Sequence, residues 1–399
     1  MTPAPSLLPV SEAQARLIAV APLLPPALLP LAEAAGRWAA EDVVARVDHP
    51  FADLSAMDGY AIRHADLPGP WQVTATIAAG RMPAAPIGPG MAARIFTGAP
   101  LPAGADTILV QEDARRDGDR LTLAGDGPDR RGAHVRRRAM NFAAGDTLIP
   151  AGARIAPARI GLAALGGHAV LPVRGRARIA LLSTGDELAA PGAPLRPGQI
   201  HAANAAMIAA QLAALPVMVS DCGIIADDRA ALARAIADAA AQADILVTIG
   251  GASVGDHDLV QPALADCGAT LDFWRIAMRP GKPLMAGQLS ATMVLGLPGN
   301  PVSAFVTSAL FLMPLIAAMG GATAPLPPTL SLPLGEALPA VGPRADYLRG
   351  RVADGRVFPV GVQDSGVLTG LARADALIIR PAHAPALPAG AFADVHIIA

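Results

Sequence analysis

The feature that most constrains the fold is a buried strand that runs into glycines and then into carboxylates. Residues Ile245–Ile249 form an apolar, mostly β-branched run, which is typical of a strand buried on both faces of a parallel sheet. Gly250 and Gly251 break the run, and Asp256 and Asp258 follow. Parallel α/β sheets hold ligands at the carboxyl ends of their strands. The stretch therefore predicts a binding site at one edge of such a sheet.

This strand lies within a regular alternation of apolar runs and alanine-rich runs. The alternation predicts strands at 177–182, 217–225, 245–249 and 293–297, and helices at 201–215 and 229–243. Asp227 or Asp228 is a suitable N-cap for the second of these helices. Gly320-Gly321 ends the last helix of this part of the chain, which follows the strand at 293–297. Strand and helix at this spacing predict βαβ units around a parallel sheet.

The rest of the chain predicts three further units. Residues 1–45 predict helices, with Ser11 as an N-cap and a second helix over 31–39. Glycine and proline then interrupt short strand-like runs such as Trp71–Ile77, and helical character returns at 157–165. The predicted domains are a split helical domain (1–45 and 147–176), an inserted β-rich module (46–146), the α/β domain (177–322) and a small C-terminal β domain (323–399).

Composition narrows the classes of partner and location. A net charge of −2 over 399 residues gives no global basic field, so nucleic acid and anionic membrane are poor candidates. The arginine run 136–138 predicts either a solvated face or a local anion site. Cys222 and Cys267 provide neither a disulfide framework nor a metal cluster. The apolar run 302–319 is interrupted by serine and proline, which favours a core helix, and we expect a cytoplasmic protein without a secretory leader.

Three predicted strands end in motifs that suit an anion. They are STGDE at 183–187, GGASVGD at 250–256 and PGNP at 298–301. Glycines let an anion approach backbone N–H groups, and a helix N-terminus adds a partial positive charge. Asn300 as N-cap and Pro301 as the first helical residue fit a helix start. All three motifs should emerge on the same edge of the sheet.

Acidic side chains share that edge and would repel the anion. They are Asp186, Glu187, Asp256 and Asp258. A Mg²⁺ ion resolves the conflict, because it binds carboxylate, water and phosphate oxygens together. Arg279 and Lys282 bracket the turn at Pro280-Gly281 and are candidates for contact with a second anion.

The inserted module carries two compact motifs, SAMDGYA at 55–61 and FTGAPLPAGAD at 96–106. Asp58 lies at a predicted turn, where Gly59 is free to take positive φ. From chemistry alone, Asp58 remains open to interpretation as a turn aspartate that bonds its own backbone. Thr97 is equally a donor to an anion or an ordinary turn hydroxyl.

Six motifs taken together resemble one known family. The quoted SAMDGYA and FTGAPLPAGAD are joined by STGDEL (183–188), TIGGASVGDHD (248–258), RPGKP (279–283) and GLPGNPVSA (296–304). The set resembles the molybdopterin molybdenumtransferases of the MoeA type, which are molybdenum insertases related to the E domain of gephyrin. The resemblance spans nearly the whole chain, and the combination of motifs is highly specific.

The resemblance implies a multidomain α/β and β fold with the four units named above. It implies a homodimer in which the inserted module of one subunit approaches the α/β domain of the other. The substrates would be adenylylated molybdopterin and molybdate. With Mg²⁺, the pyrophosphate linkage is cleaved, AMP leaves and the dithiolene receives molybdenum. The molybdopterin adenylyltransferase would be a further partner.

The resemblance also implies roles for individual residues. Catalytic roles would fall to Asp58, Thr97, Glu187, Asp227 or Asp228, Asp258 and Lys282. Contacts with Mg²⁺ would come from Asp186, Glu187 and Asp256. Substrate contacts would come from Gly250, Gly251, Ser253, Arg279, Gly281, Pro298, Asn300, Pro301, Ser303, Arg349 and Ser365.

Two departures from the family pattern stand out. The family usually has a Gly-Glu-Asp-type segment after the arginine run, whereas this chain has Ala139-Met140-Asn141. Asn141 cannot act as a carboxylate ligand or base. The basic turn begins with Arg279 where lysine is common, and arginine keeps the charge but differs in shape.

Two alternative functions follow from the same residues. The adenylyltransferase shares the α/β domain but lacks the SAMDGYA module, and an assay of molybdopterin with MgATP would detect its activity. A non-enzymatic scaffold, which the gephyrin resemblance allows, would be set aside by restored molybdoenzyme activity in an insertase-deficient strain.

Overall fold

The computed structural model describes residues 7–251 and 259–398. In chain order it begins with α1 (Val10–Ala19), β1 (Pro26–Pro30), α2 (Leu31–Ala34) and β2 (Val43–Val44). The helix predicted over 31–39 is wrong beyond Ala34, because Ala35 is extended and Gly36 takes a φ of 76°. The predicted N-cap at Ser11 is also wrong, since Pro9 holds that position and the helix starts at Val10.

The inserted module is built on a six-stranded sheet of order β7-β4-β6-β5-β9-β8. The sheet consists of β4 (Gly59–Ile62), β5 (Trp71–Ile77), β6 (Met91–Ile95), β7 (Thr107–Val110), β8 (Ala114–Asp117) and β9 (Arg120–Leu123). The module also contains β3 (Leu54–Ser55) and β10 (Val135–Arg136), which pair with each other. Arg137 donates to Asp53 and Arg138 to Asp48, each at 2.6 Å. These ion pairs favour the solvated-face interpretation of the arginine run.

The chain then returns to the split domain through β11 (Thr147–Ile149), α3 (Pro157–Leu165) and β12 (Val170–Arg174). The helix predicted at 157–165 is confirmed, with Pro157 in its first turn. β11 pairs with β2 and β12 pairs with β1, so the two segments form one unit. The domain boundaries drawn from the sequence stay predictions.

A three-layer α/β unit follows, centred on a six-stranded sheet of order β16-β13-β17-β21-β20-β18. Its elements are β13 (Ala177–Thr184), β14 (Leu188–Ala189), β15 (Ile200–His201), α4 (Asn204–Leu212), β16 (Val217–Ile225), α5 (Arg229–Ala240), β17 (Ile245–Ile249), α6 (Val260–Asp266), β18 (Thr270–Arg275), β19 (Met278–Arg279), β20 (Pro283–Leu289), β21 (Thr292–Leu297) and α7 (Pro301–Met319). The first four strands in this order are parallel to one another. β20 runs antiparallel to both of its neighbours, β21 and β18.

Helices cover both faces of this sheet because successive strand residues point to opposite sides. Val247 packs in a core with α1, α4 and α7. Its neighbour Leu246 packs in a second core with α5 and α6. All four strands predicted from the sequence are confirmed, whereas β18 and β20 were not predicted.

Helix α7 lies in the first of these two cores, the one that contains Val247. Its middle, Ser308–Leu312, is a π-helical turn that directly precedes a segment with Pro314 in its first turn. It is the one helix among the described residues whose length and composition would suit a bilayer, yet 72% of its most apolar window is buried in the fold. It is therefore placed as the core helix that the sequence predicts, and it ends before Gly320-Gly321, as predicted.

The C-terminal unit is a second mixed sheet, and it borrows a strand from the α/β unit. Its elements are β22 (Leu330–Pro333), β23 (Ala345–Ala353), β24 (Arg356–Pro359), α8 (Leu368–Leu371), β25 (Ala376–Arg380) and β26 (Phe392–Ile397). The sheet order is β19-β23-β25-β26-β22, with β24 on β23. Because β19 precedes β20 of the α/β sheet, this pairing ties the two units together.

The end of α7 provides a test of how tightly the split domain packs on the α/β unit. A Cβ added at Gly320 would lie 2.2 Å from a ring carbon of Trp38. We expect Gly320→Ala to lower the free energy of unfolding by about 2 kcal/mol, the usual cost of overpacking, as measured by urea denaturation. Gly161→Ala is the control, because Gly161 lies in α3 with open space around it and alanine should stabilise that helix by up to about 1 kcal/mol. Equal effects of the two substitutions would contradict the predicted contact.

Candidate functional site

A cleft of about 860 Å³ lies at the carboxyl ends of the parallel strands. The exits of β13, β17 and β21 form its floor, and the turn between β19 and β20 forms one side. Residues 363–365 of the C-terminal unit line it as well. The predicted site residues that line it are Glu187, Gly250, Gly251, Arg279, Gly281, Lys282, Pro298, Asn300, Pro301, Ser303 and Ser365. Parts of the chain up to about 180 residues apart in sequence are thus brought into one cavity.

Glycines at the strand exits allow the backbone to line the cleft closely. Gly250 has a φ of 91°, and a Cβ there would lie 3.0 Å from the carbonyl oxygen of Thr184. Gly185 has a φ of 144°, and a Cβ there would lie 2.4 Å from Oε2 of Glu187. A side chain at Gly250 would meet the exit of β13, and one at Gly185 would meet the carboxylate of Glu187 in its own exit. The N–H of Gly250 donates to the carbonyl of Leu297 at 3.1 Å, so this glycine joins the exits of β17 and β21 and leaves the floor of the cleft without side-chain cover.

The acidic residues at this edge divide into two sets. Glu187 and Asp227 line the cleft, whereas Asp186 and Asp228 do not. Asp228 is the N-cap of α5, and its side chain accepts a hydrogen bond of 2.7 Å from the N–H of Ala231. The structure therefore places Asp227, the alternative left open by the sequence, in the position predicted for Asp228.

Asp227 is held by a small network of hydrogen bonds. The hydroxyl of Thr184 donates to Oδ1 of Asp227 at 2.7 Å. The N–H of Asp186 donates to Asp227 at 3.3 Å, and the N–H of Asp227 donates back to Asp186 at 3.2 Å. Asp186 thus supports the loop, where the sequence predicts a metal ligand.

The predicted magnesium ligands do not form a complete set among the described residues. Within 7–251 and 259–398, no group of three or more histidine, cysteine, aspartate or glutamate side chains could hold a metal ion. Asp256, predicted as a ligand, lies outside the described residues, as do Ser253 and Asp258. Their predicted roles stay predictions.

The basic turn contributes two cationic side chains, of which one is ion-paired with a described carboxylate. The guanidinium of Arg279 forms a bidentate ion pair with Asp346 of β23, at 2.9 and 2.8 Å. Lys282 lines the cleft and makes no ion pair within the described residues. Gly281, with a φ of 103°, lets the turn pass Thr307 of α7, whose Cγ2 would lie 2.6 Å from an added Cβ.

The C-terminal unit forms the opposite wall. The side chain of Asn300 donates to the hydroxyl of Ser365 at 3.2 Å, and the N–H of Val302 donates to the carbonyl of Ser365 at 3.2 Å. Asn300 is thus at the predicted N-cap position, but its side chain bonds across the cleft instead of capping the helix.

Arg349, predicted as a substrate contact, lies beneath that wall. It is 1% exposed and donates to the carbonyls of Val362 and Asp364, at 2.8 and 3.0 Å. Burial lowers the pKa of its guanidinium, and Asp364 partly offsets that effect. Arg349 supports the loop that carries Ser365, and its Nε is buried without a hydrogen-bond partner among the described residues, so its predicted substrate contact stays a prediction.

Asp58 and Thr97 lie together on the inserted module, away from the residues that line this cleft. The N–H and the hydroxyl of Thr97 both donate to Oδ1 of Asp58, at 2.7 and 2.8 Å. Those two bonds, in that order, hold the pKa of the Asp58 carboxyl below its usual range, and the charge of Arg94 adds to them. Asp58 thus bonds a distant loop rather than only its own turn.

The polar residues of the cleft that sequence reasoning missed include Asn204 and Arg344, as well as His201, Gln363 and Asp364. Asn204 lies at the start of α4 and donates to the carbonyl of Gly299 at 2.6 Å. Arg344 precedes β23 and lines the cleft from the C-terminal wall. The Pro-Arg-Ala-Asp segment at 343–346 was the available signal, since it places a cation next to a predicted strand.

Three family models match the chain. "MoeA N-terminal region (domain I and II)" matches residues 8–167, "Probable molybdopterin binding domain" matches 180–318 and "MoeA C-terminal region (domain IV)" matches 331–398. Together the matches extend over the split domain, the inserted module, the α/β unit and the C-terminal unit.

Relatives and solved structures agree with these matches. A molybdopterin molybdenumtransferase of Nostoc sp. is 38% identical over 87% of this chain and 83% of its own. The molybdopterin molybdenumtransferase 2 of Mycobacterium tuberculosis is 35% identical over 92% of this chain and 93% of its own. The crystal structure of a molybdopterin biosynthesis MoeA protein from Pyrococcus horikoshii superposes with a TM-score of 0.81, at 27% identity, over 99% of this chain and 100% of that chain.

The position of Asp228 leads to a stability prediction. Asp228→Ala should lower the free energy of unfolding by about 1 kcal/mol, because the N-cap bond is lost. Asp228→Ser should keep most of that stability, since serine caps helices well. We expect both variants to keep turnover, as measured with urea denaturation and an activity assay. Lost turnover in a fully stable Asp228→Ser variant would return the catalytic role to Asp228.

The hydrogen bonds of Asp58 lead to a titration prediction. Thr97→Val removes the hydroxyl but keeps the backbone donor, so the pKa of Asp58 should rise yet stay below its ordinary value. A ¹³C NMR titration of the aspartate carboxyls measures this shift. Thr122→Val, which removes a hydroxyl that bonds Arg115 elsewhere in the module, should leave Asp58 unchanged. A Thr97→Val variant with an unchanged pKa would show that the hydroxyl does not stabilise the charged carboxylate.

Proposed function

This chain belongs to the MoeA family, and from that premise we propose that it acts as a molybdopterin molybdenumtransferase. The proposed reaction is the Mg²⁺-dependent cleavage of adenylylated molybdopterin, with insertion of molybdate into the dithiolene and release of AMP. The observation that supports it is the cleft, in which glycine-lined strand exits, the carboxylates of Glu187 and Asp227 and a basic turn surround one cavity. Such a combination suits a substrate that carries phosphates and an oxyanion.

Binding of the phosphates falls to the strand exits. Gly250 and Gly251 line the floor of the cleft without side-chain cover, so a phosphate can approach the backbone there, and the N-terminus of α7 adds partial positive charge. Asn300 and Ser303 line the same end of the helix. Lys282 adds a full positive charge that favours the negative charge developing as the anhydride is cleaved. These groups bind and orient the substrate before any bond changes.

Mg²⁺ is part of the proposal because the donors in the cleft fit it. Glu187 and Asp227 supply carboxylate oxygens, and Mg²⁺ commonly takes one or two carboxylates together with water and substrate phosphate oxygens. When bound, the ion supplies charge neutralisation at the phosphates. Because Gly185 has no Cβ, the carboxylate of Glu187 has space at this exit, where an added Cβ would lie 2.4 Å from its Oε2.

A homodimer is also part of the proposal. Asp58 and Thr97 do not line the cleft of their own chain, so a catalytic role for them requires a second copy. Phe51, Met57 and Phe96 are exposed apolar side chains close in sequence to this pair. They suit a face that is covered when the inserted module of one copy approaches the cleft of another.

Two variants test the reaction and the shared site together. Glu187→Gln and Asp58→Asn should each stop the consumption of adenylylated molybdopterin, because each removes a carboxylate charge without changing size. Mixed dimers of the two variants should recover about a quarter of wild-type turnover, since random two-fold pairing gives half of the dimers one intact site. Release of AMP, followed by chromatography, measures turnover.

The mixed dimers also provide the control. Glu187→Gln mixed with a Glu187→Gln, Asp58→Asn double variant can form no intact site and should stay inactive. Wild-type turnover in either single variant would count against the assignment. Full inactivity of the mixed dimers would instead show that Asp58 does not serve a second copy.

A further inference from the structure

We infer that Arg344 binds the substrate oxyanion from the C-terminal wall of the cleft, and that the Arg279–Asp346 ion pair positions it. The identity of the oxyanion, molybdate, rests on the proposed function. The placement of the cation rests on the geometry alone. The inference adds a binding residue to the cleft and changes the part that Arg279 takes in it.

The cationic side chains of the cleft differ in whether a carboxylate is already paired with them. Of the described lysine and arginine side chains, three line the cleft: Arg279, Lys282 and Arg344. Arg279 presents Nε and Nη2 to the two oxygens of Asp346, at 2.9 and 2.8 Å. A bidentate pair of this kind occupies one of the two donor edges of the guanidinium and offsets its charge. Lys282 and Arg344 make no ion pair with any described residue, so they are the two cations of the cleft whose charge no described carboxylate offsets through an ion pair.

Asp346 is well placed to keep Arg279 occupied. Its residue is 8% exposed, and the buried Arg380, 2% exposed, adds a second positive charge near its carboxylate. A carboxylate in such a place is costly to leave unpaired. Arg279 is therefore held on Asp346 rather than shared with an anion in the cleft.

The pairing of β19 with β23, across which the ion pair lies, sets the backbone of Arg344 relative to that of Lys282. Arg344 directly precedes β23, whose first two residues pair with β19 in the register Met278–Ala345 and Arg279–Asp346. The N–H of Ala345 donates to the carbonyl of Ala277 at 2.8 Å. Arg344 and Lys282 thus extend from the two ends of one paired segment, two residues before Asp346 and three residues after Arg279. A dianion between them would meet two positive charges.

The acidic side chains of the cleft lie on other elements. Glu187 and Asp227 follow β13 and β16, and Asp364 lies in the loop after β24. Oδ1 of Asp364 accepts a hydrogen bond of 2.8 Å from the N–H of Gly366. Neither Arg344 nor Lys282 is paired with any of the three, so both charges remain available to a ligand.

Direct binding tests the role of Arg344 without turnover. Sodium molybdate is titrated by calorimetry into the full chain at constant ionic strength. Arg344→Gln should weaken molybdate binding about tenfold, equivalent to about 1.4 kcal/mol, and Arg344→Lys should weaken it less. Arg351→Gln, an exposed arginine on the same strand outside the cleft, is the matched control and should bind like wild type.

A second titration with AMP distinguishes the two sources of negative charge. Arg344→Gln should change AMP binding far less than molybdate binding. A loss confined to AMP would assign Arg344 to the nucleotide phosphate and overturn the inference. Unchanged molybdate affinity in Arg344→Gln, with binding intact in wild type, would overturn it while leaving the proposed function standing. Absence of molybdate binding to the wild-type protein would overturn both.

Asp346→Asn separates positioning from direct binding by the sign of its effect. If Arg279 were the ligand, releasing it from Asp346 would strengthen molybdate binding. If Arg279 positions Arg344, the release should weaken binding severalfold, although a negative charge has been removed. Stronger binding overturns the positioning role. Should Asp346→Asn fail to fold, Asp346→Glu replaces it, since glutamate keeps the charge but its longer side chain disturbs the bidentate contact, and the same two opposite signs of the effect apply.

Discussion

The site depends on one constraint, which is that parallel strands all end at the same edge of a sheet. Three exits meet there, and each contains a glycine. A Cβ at Gly299 would be in ordinary contact with the Cα of Gly250, at 3.8 Å, and one at Gly250 would lie 3.0 Å from the carbonyl oxygen of Thr184. The N–H of Gly250 donates to the carbonyl of Leu297 at 3.1 Å, so the exits pack backbone against backbone. Their glycines leave the floor of the cleft free of side-chain cover, which lets an anion approach the backbone closely.

The sheet edge supplies only the floor, and the walls come from the second sheet. β19 leaves the α/β unit and pairs with β23, while residues 363–365 reach back to Asn300. The C-terminal unit is thus attached on two sides of the cavity. This attachment explains how a small β unit at the end of the chain contributes to a site built on the strand exits of the α/β unit.

Fully buried strands could be predicted from the local sequence, whereas strands and side chains that are placed by tertiary contacts could not. β17 and β21 were predictable because a strand buried on both faces is apolar at nearly every position. β18 and β20 were missed, because the pairing of these antiparallel strands is set by tertiary contacts. Asp227 and Asp228 are both suitable N-caps, and only the fold shows which one turns into the cleft. Burial of Arg349 was equally unpredictable, since arginine is rarely buried unless it is paired.

The unusual arginine at the start of the basic turn has a physical explanation in this fold. A lysine at that position would contact Asp346 at a single point and could turn towards a ligand, because its stem is flexible. The planar guanidinium of Arg279 instead satisfies both oxygens of a nearly buried carboxylate. With arginine at this position, the cation of the turn holds the wall of the cleft through Asp346 instead of binding a ligand. A chain that makes this exchange keeps a binding cation only if another element supplies one, and Arg344 extends from the strand that the exchange secures.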